Sequence, residues 1–273
     1  MKFKTIFILF NIIVLFAFLF ITLIPLVMLG NEYSSLFWSQ NWILVALFVL
    51  FISLLDGYFV INWKLFHYLE EEDWPGLLYY LEEKIFDQKK LKKRYVSLYI
   101  NGALSVSNLD KIDRLEAEVR DKKPDLFRIT GLQFGVNRLL KKDAAGAELF
   151  FHEILAMDKV HDREWILWCL AFSCYSGKRV DEAMEPLMEI LESKTKDKVL
   201  RLLDCYLLDT LRDKIPMEKQ TLLSEKTLEL KKETISLSAW NRALEKSRES
   251  NILSVFMSSL IEDARKWIGQ IEG

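Results

Sequence analysis

The stretch from Arg163 to Glu192, REWILWCLAFSCYSGKRVDEAMEPLMEILE, decides the fold. Apolar residues recur in it at intervals of three and four, once before the SGKR break and once after it. That spacing gathers them on one face of a helix, whereas a half-buried strand would alternate. Gly177 and its polar neighbours mark the turn between two helices. The same texture returns in GLLYYLEEKIF and AGAELFFHEILAM, with Gly and Pro confined to breaks such as DWPG, KKPD and KIPM. No segment alternates over a strand length between hairpin turns, so the class is all-α.

The stretch also repeats. Counting back from Ala183, equivalent positions fall at Ala147, Ile112 and Gly76, with spacings of 36, 35 and 36 residues. Thirteen residues ahead of these anchors stand Leu170, Phe134, Tyr99 and Trp63, each followed by Ala171, Gly135, Ile100 and Lys64 in turn. Four residues beyond them stand Leu187, Phe151, Glu116 and Tyr80. A small residue on one helix opposite a large one on its neighbour lets two antiparallel helices approach closely. A period in the mid-thirties is the length of one helix–turn–helix unit.

On these positions the chain resembles the tetratricopeptide repeat family. Phe134–Gly135 with Ala147 and Phe151, and Leu170–Ala171 with Ala183 and Leu187, follow that family's large–small and Ala–aromatic positions. Pro124, twelve residues after Ile112, matches its closing proline, while Lys64 and Glu116 depart from the pattern. The resemblance covers residues 63–192. It implies a TPR-like α-solenoid of antiparallel helix pairs, with a groove along the first helices that takes a protein ligand. Residues 193–273 read as further helical pairs capping the solenoid: KDKVLRLLDCYLLDTLRDK, a helix opening at Pro216, SLSAWNRALEKSRE and NILSVFMSSLIEDARKWIG.

Ahead of the repeats, residues 1–62 have a different solvent. Between Thr5 and Ile61 the only charged residues are Glu32 and Asp56. Two apolar segments, about 5–29 and 42–62, are long enough to cross a bilayer as helices. No small-x-small cleavage site follows the first, so it reads as an anchor rather than a removed leader. Lys2 and Lys4 precede the pair and Lys64, Lys84 and KKLKKR follow it, with no Lys or Arg between. The positive-inside rule then predicts a multi-pass hairpin in the inner (cytoplasmic) membrane of a bacterial-type cell, with both termini cytoplasmic. In such a hairpin Asn11 and Asp56 lie at one depth and are expected to hydrogen-bond to each other.

Chemistry is sparse. A formal net charge of −2 gives no electrostatic argument for nucleic acid. His67, His152 and His161 are scattered, Cys169, Cys174 and Cys205 form no ligand set, and no phosphate-cradling or nucleophile motif occurs. No catalytic, cofactor or metal site is expected, and the chain reads as a non-enzyme. Two groups are candidate partner sites. Lys89, Lys90, Lys92, Lys93 and Arg94 are placed to meet anionic lipid headgroups. Trp165 and Trp168, three apart on one helix, read as core packing or, as the alternative, as a protein-binding hot spot. The function implied is a membrane-anchored protein–protein scaffold or adaptor. The alternative is a structural subunit of a large membrane-embedded machine, such as a secretion or motility apparatus.

Overall fold

The computed structural model describes residues 3–234 and 251–270, and among these every regular element is helical. The helix expected in SLSAWNRALEKSRE lies outside the described residues. The chain divides into two compact units, residues 1–80 and 81–273.

In the first unit, α1 (Phe3–Ile61) is broken at Gly30, whose φ of 77° and ψ of 174° suit a residue without a Cβ. Phe7 meets Phe59 at 5.4 Å and Phe18 stacks on Phe48 at 5.1 Å. Eleven residues forward on one limb thus match eleven backward on the other, which is the register of an antiparallel hairpin. The two limbs, Lys4–Met28 and Ser34–Ile61, are long and apolar enough to cross a membrane. Their side chains face outward, Phe16 being 72% and Val27 81% exposed.

The second limb starts at Ser34, earlier than the expected 42, because SSLFWSQN continues the helix. Ser39 Oγ donates to Leu36 O (2.8 Å) and Asn41 Nδ2 to Phe37 O (2.8 Å), so these polar side chains are satisfied by the helix itself. At the other end only Asn62 interrupts the path into α2 (Trp63–Glu70). Its N–H still donates to Tyr58 O (3.2 Å) and its carbonyl accepts from Phe66 N (3.0 Å), so helical bonding crosses the joint. Next comes α3 (Trp74–Glu82), opened by Asp73, whose Oδ1 accepts the Gly76 N–H at 2.9 Å.

The second unit opens with a π turn (Glu83–Asp87), then α4 (Lys93–Ser105), α5 (Asp110–Lys122), α6 (Pro124–Leu140) and α7 (Ala144–Leu155). There follow α8 (Arg163–Ser176), α9 (Val180–Glu192), α10 (Lys198–Thr210), α11 (Met217–Thr234) and α12 (Asn251–Gln270). Pro124 sits in the first turn of α6, where its missing N–H has no intrahelical partner to lose. Asp143 caps α7 by accepting Gly146 N–H, and Asp197 caps α10 by accepting Val199 and Leu200 N–H. From α4 to α11 each helix packs on the next. The even-numbered helices also pack on one another, α4 on α6, α6 on α8 and α8 on α10.

The repeat positions supply the interior of this series. Ile112, Ala147 and Ala183 are fully buried, as are Tyr99, Phe134, Phe151 and Leu187. Gly135 on α6 makes room for Phe151 on α7: a Cβ there would lie 2.2 Å from the Phe151 ring. Only hydrogen fits in that space, so the small–large pairing is a steric requirement at this crossing.

Glu116 stands where the other units carry an apolar residue, and it too is buried. Arg138 on α6 bonds both of its oxygens, at 2.7 and 2.9 Å, and Arg120 adds a third bond at 3.1 Å. The two guanidiniums in turn lie over phenyl rings, Arg138 over Phe150 at 4.1 Å and Arg120 over Phe127 at 4.3 Å. The charge is thus tolerated inside because it is paired and its partners are stacked. Higher on the same seam, buried Asn137 donates to Asp113 Oδ1 (2.7 Å), and Lys141 donates to Asp110 (2.6 Å).

Candidate functional site

The sequence-predicted residues fall into three places. In the hairpin, the aromatic register puts Asn11 and Asp56 at one level. The bond expected between them is nevertheless not made. Asn11 Nδ2 donates to Phe7 O at 3.1 Å, one turn back on its own limb, and Asp56 Oδ1 is enclosed without a hydrogen-bond partner. An acceptor four residues away is always within reach of an asparagine in a helix, and here it takes the amide.

In the second unit, Lys89, Lys90, Lys92, Lys93 and Arg94 are all exposed, while Leu91 among them is buried at 3%. That one buried leucine holds the link between the π turn and α4, whose first residues are Lys93 and Arg94. His67, His152 and His161 are exposed, each apart from the others. The three cysteines are buried and free.

Of the two readings of the tryptophans, core packing and hot spot, the structure shows core packing at Trp168. Trp168 is fully buried, stacked on Phe172 at 5.3 Å, and presents nothing to a partner. Trp165 is half-buried and donates its Nε1–H to Asp197 Oδ2 at 3.0 Å, which ties α8 to the cap of α10. Both serve the packing of the helix series, because α8 lies between α7, α9 and α10 and has little free face.

Two clusters were not legible in the sequence. Glu148, Cys174 and Glu182 converge from three helices. The cation at their centre is a side chain: Arg179 Nη1 bonds Glu148 Oε1 at 2.7 Å and reaches Glu182 at 3.5 Å. Burial, then the charge of Glu182, pushes the Cys174 thiol up, so the sulfur stays protonated. The cluster is an ion pair that joins α7 to α9.

The second cluster lines a cavity of about 510 Å³ beside α10, with Arg201, Asp204, Cys205 and Lys226 on its wall. Arg201 faces Glu229 (3.3 Å) and Glu233 (3.4 Å), but Asp204 is 1% exposed and its Oδ1 lacks a partner. Burial raises the Asp204 carboxyl well above the ordinary range, so the folded chain keeps its proton longer than the unfolded chain does. Between those two values unfolding releases a proton, and stability falls as pH rises through the window. Asp204→Asn, which copies the protonated shape, is expected to remove this slope. The variant is therefore expected to melt higher than the parent at pH 8 and to match it near pH 4. Equal gains at both pH values would show that Asp204 does not titrate in this way.

The even-numbered helices share a face, and α12 lies on it. This helix packs against α4, α6, α10 and α11, and its Phe256 meets Phe172 of α8 edge-on at 5.3 Å. Leu253, Met257, Ala264 and Ile268 are buried, with Phe256, Leu260 and Trp267 half-buried beside them. Those positions form one stripe of an amphipathic helix. At its far end Trp267 packs on Tyr206 (5.6 Å) and donates its Nε1–H to Asp209 Oδ2 (2.8 Å). This last of the described helices thus runs across the series, touching members far apart in sequence. The apolar spacing in NILSVFMSSLIEDARKWIG predicts that the helix has a buried stripe, but nothing local says which surface buries it.

Comparison with known proteins places these elements in a family. The family model described as "Uncharacterised Treponema protein" matches residues 111–270, which takes in α5 to α12. A relative from Treponema pallidum (strain Nichols), described as an uncharacterized protein, is 25% identical over 236 residues, covering 83% of this chain and 74% of its own. No solved structure matches the chain.

Proposed function

The chain belongs to the family described as an uncharacterised Treponema protein, and we propose that it is a membrane-anchored scaffold that binds other proteins on its helical-repeat domain. The hairpin of Lys4–Met28 and Ser34–Ile61 is the anchor, multi-pass in the inner membrane with both termini cytoplasmic. The exposed cations Lys89 to Arg94 meet anionic headgroups, at about 1 kcal/mol per charge near the surface.

The helices from α4 to α11 form a tetratricopeptide-like series of stacked pairs. Two observations support that reading. Even-numbered helices pack in order on one another, as first helices of successive repeats do. Four ion pairs also join residues 29 to 33 apart: Glu82–Lys111 at 29, Asp110–Lys141 at 31, Glu148–Arg179 at 31 and Asp181–Lys214 at 33. Ties of about one repeat length from one unit to the next are what a repeat produces.

The observation that carries the functional reading is α12 itself. A face that accommodates an amphipathic helix along α4, α6, α8 and α10 has the shape and chemistry for helix-in-groove recognition. Photo-crosslinking of the chain in intact membranes is expected to trap specific proteins on its second unit. A chain that stays uncrosslinked and monodisperse would sink the scaffold reading. Protease protection checks the orientation: the second unit should be cleaved only from the cytoplasmic side.

A further inference from the structure

We infer that α12 is a displaceable occupant of the even-helix face, and that the partner of this face is an amphipathic helix of another protein that repeats α12's pattern. This rests on the scaffold reading and adds to it the class of partner and a means of control.

The pattern can be read from the contacts. The ligand helix needs apolar side chains at the spacings of Leu253, Met257, Ala264 and Ile268, which are buried against the face. It needs an aromatic ring one position before the second of these, where Phe256 meets Phe172. Near its C-terminal end it needs a donor for Asp209, the role that Trp267 Nε1–H fills at 2.8 Å. The small residue at Ala264 is fully buried against the face. A bulkier side chain there would lift the helix off the face.

Displacement is possible because α12 is added to a series that is complete without it. Every helix from α4 to α11 contacts its neighbours in sequence, and α4, α6, α8 and α10 contact one another directly. No contact in that series passes through α12. Its large aromatics Phe256 and Trp267 stay half-exposed, unlike Trp168, Phe134 and Phe151, which are fully enclosed. A competitor can therefore exchange rings with Phe172 and Tyr206 without opening the interior. While α12 is seated, the apparent affinity for a partner is reduced by the fraction of time the face is covered.

The test uses the full chain in lipid nanodiscs and a fluorescent peptide with the sequence of residues 251–270. Phe256→Ala with Trp267→Ala loosens α12, and this variant should bind the peptide at least about tenfold tighter than the parent. Adding Tyr206→Ala on the face should abolish the gain. A disulfide between Phe172→Cys and Phe256→Cys should block binding until it is reduced. No gain in the loosened variant overturns the proposal, and so does a dimer formed in place of peptide binding, which would assign the face to a second copy. Hydrogen exchange on the unmodified chain guards against misfolding of a variant. The α12 amides should exchange at least tenfold faster than those of α8 and α10. Exchange in step with α8 would make α12 a permanent core element. Partner crosslinks that persist in the disulfide-locked form would overturn this inference while leaving the scaffold reading intact. Their absence in every form would sink the scaffold reading instead.

Discussion

Trp168→Ala is expected to lower the unfolding free energy by about 3–5 kcal/mol, the range for truncating a fully enclosed large aromatic. The side chain is 0% exposed on α8, in the middle of the series, and its ring lies flat against Phe172. Removing it leaves a void among helices that touch on several sides, where collapse would need α7 or α9 to move. The loss should also reach beyond stability. Phe172 owes its position to that stack and is the ring that meets Phe256 of α12. The alanine variant should therefore loosen α12 before the rest of the chain unfolds. Trp168→Phe keeps most of the volume and removes the unpartnered indole N–H, so its cost should stay below about 1.5 kcal/mol. Urea unfolding in detergent micelles, followed by far-UV circular dichroism, measures both. An alanine cost under ~1 kcal/mol would mean that the site relaxes freely and is not the packed centre described above.

Glu116→Ala is expected to cost about 3 kcal/mol, and for the opposite physical reason. Nothing bulky is lost, but Arg138 keeps its charge in a partly enclosed seam after its carboxylate is gone, whereas Arg120 still has Glu153. The instructive comparison is the pair Glu116→Leu with Arg138→Met. It replaces the charges by apolar groups of similar volume and should come within about 1 kcal/mol of the parent, or exceed it. A double variant as damaged as Glu116→Ala would show that the cation over Phe150 contributes on its own account.

These residues also show where the sequence is transparent and where it is not. Gly135 and Phe151 can be paired from spacing alone, because the steric demand of a close helix crossing is local and periodic. Glu116 looks like a fault in the same pattern. Its chief partner, Arg138, lies 22 residues away on the next helix, and no periodicity connects them. The level shared by Asn11 and Asp56 follows from counting along two helices. Whether they bond does not, since each polar group also has competitors on its own helix, and Phe7 O wins Asn11. Trp165 and Trp168 are ambiguous in the sequence for a related reason. A tryptophan rich in contact area suits a partner's pocket and a protein interior equally, and only the neighbours of α8 decide between them. The face covered by α12 was the least legible feature, because its two sides come from separate parts of the chain and neither repeats the other's period.

That last separation has a consequence for how the protein is made. Asp209 and Trp267 are 58 residues apart, so α10 leaves the ribosome well before the helix that covers it. At roughly 5–20 residues per second that interval lasts several seconds. During it Phe172, Tyr206 and the rest of the even-helix face stand open to whatever amphipathic helix is nearby, while the apolar hairpin has already emerged. Each newborn molecule thus has an early period in which its own C-terminal helix offers no competition. A partner made close by at the same time would meet the face at its most receptive.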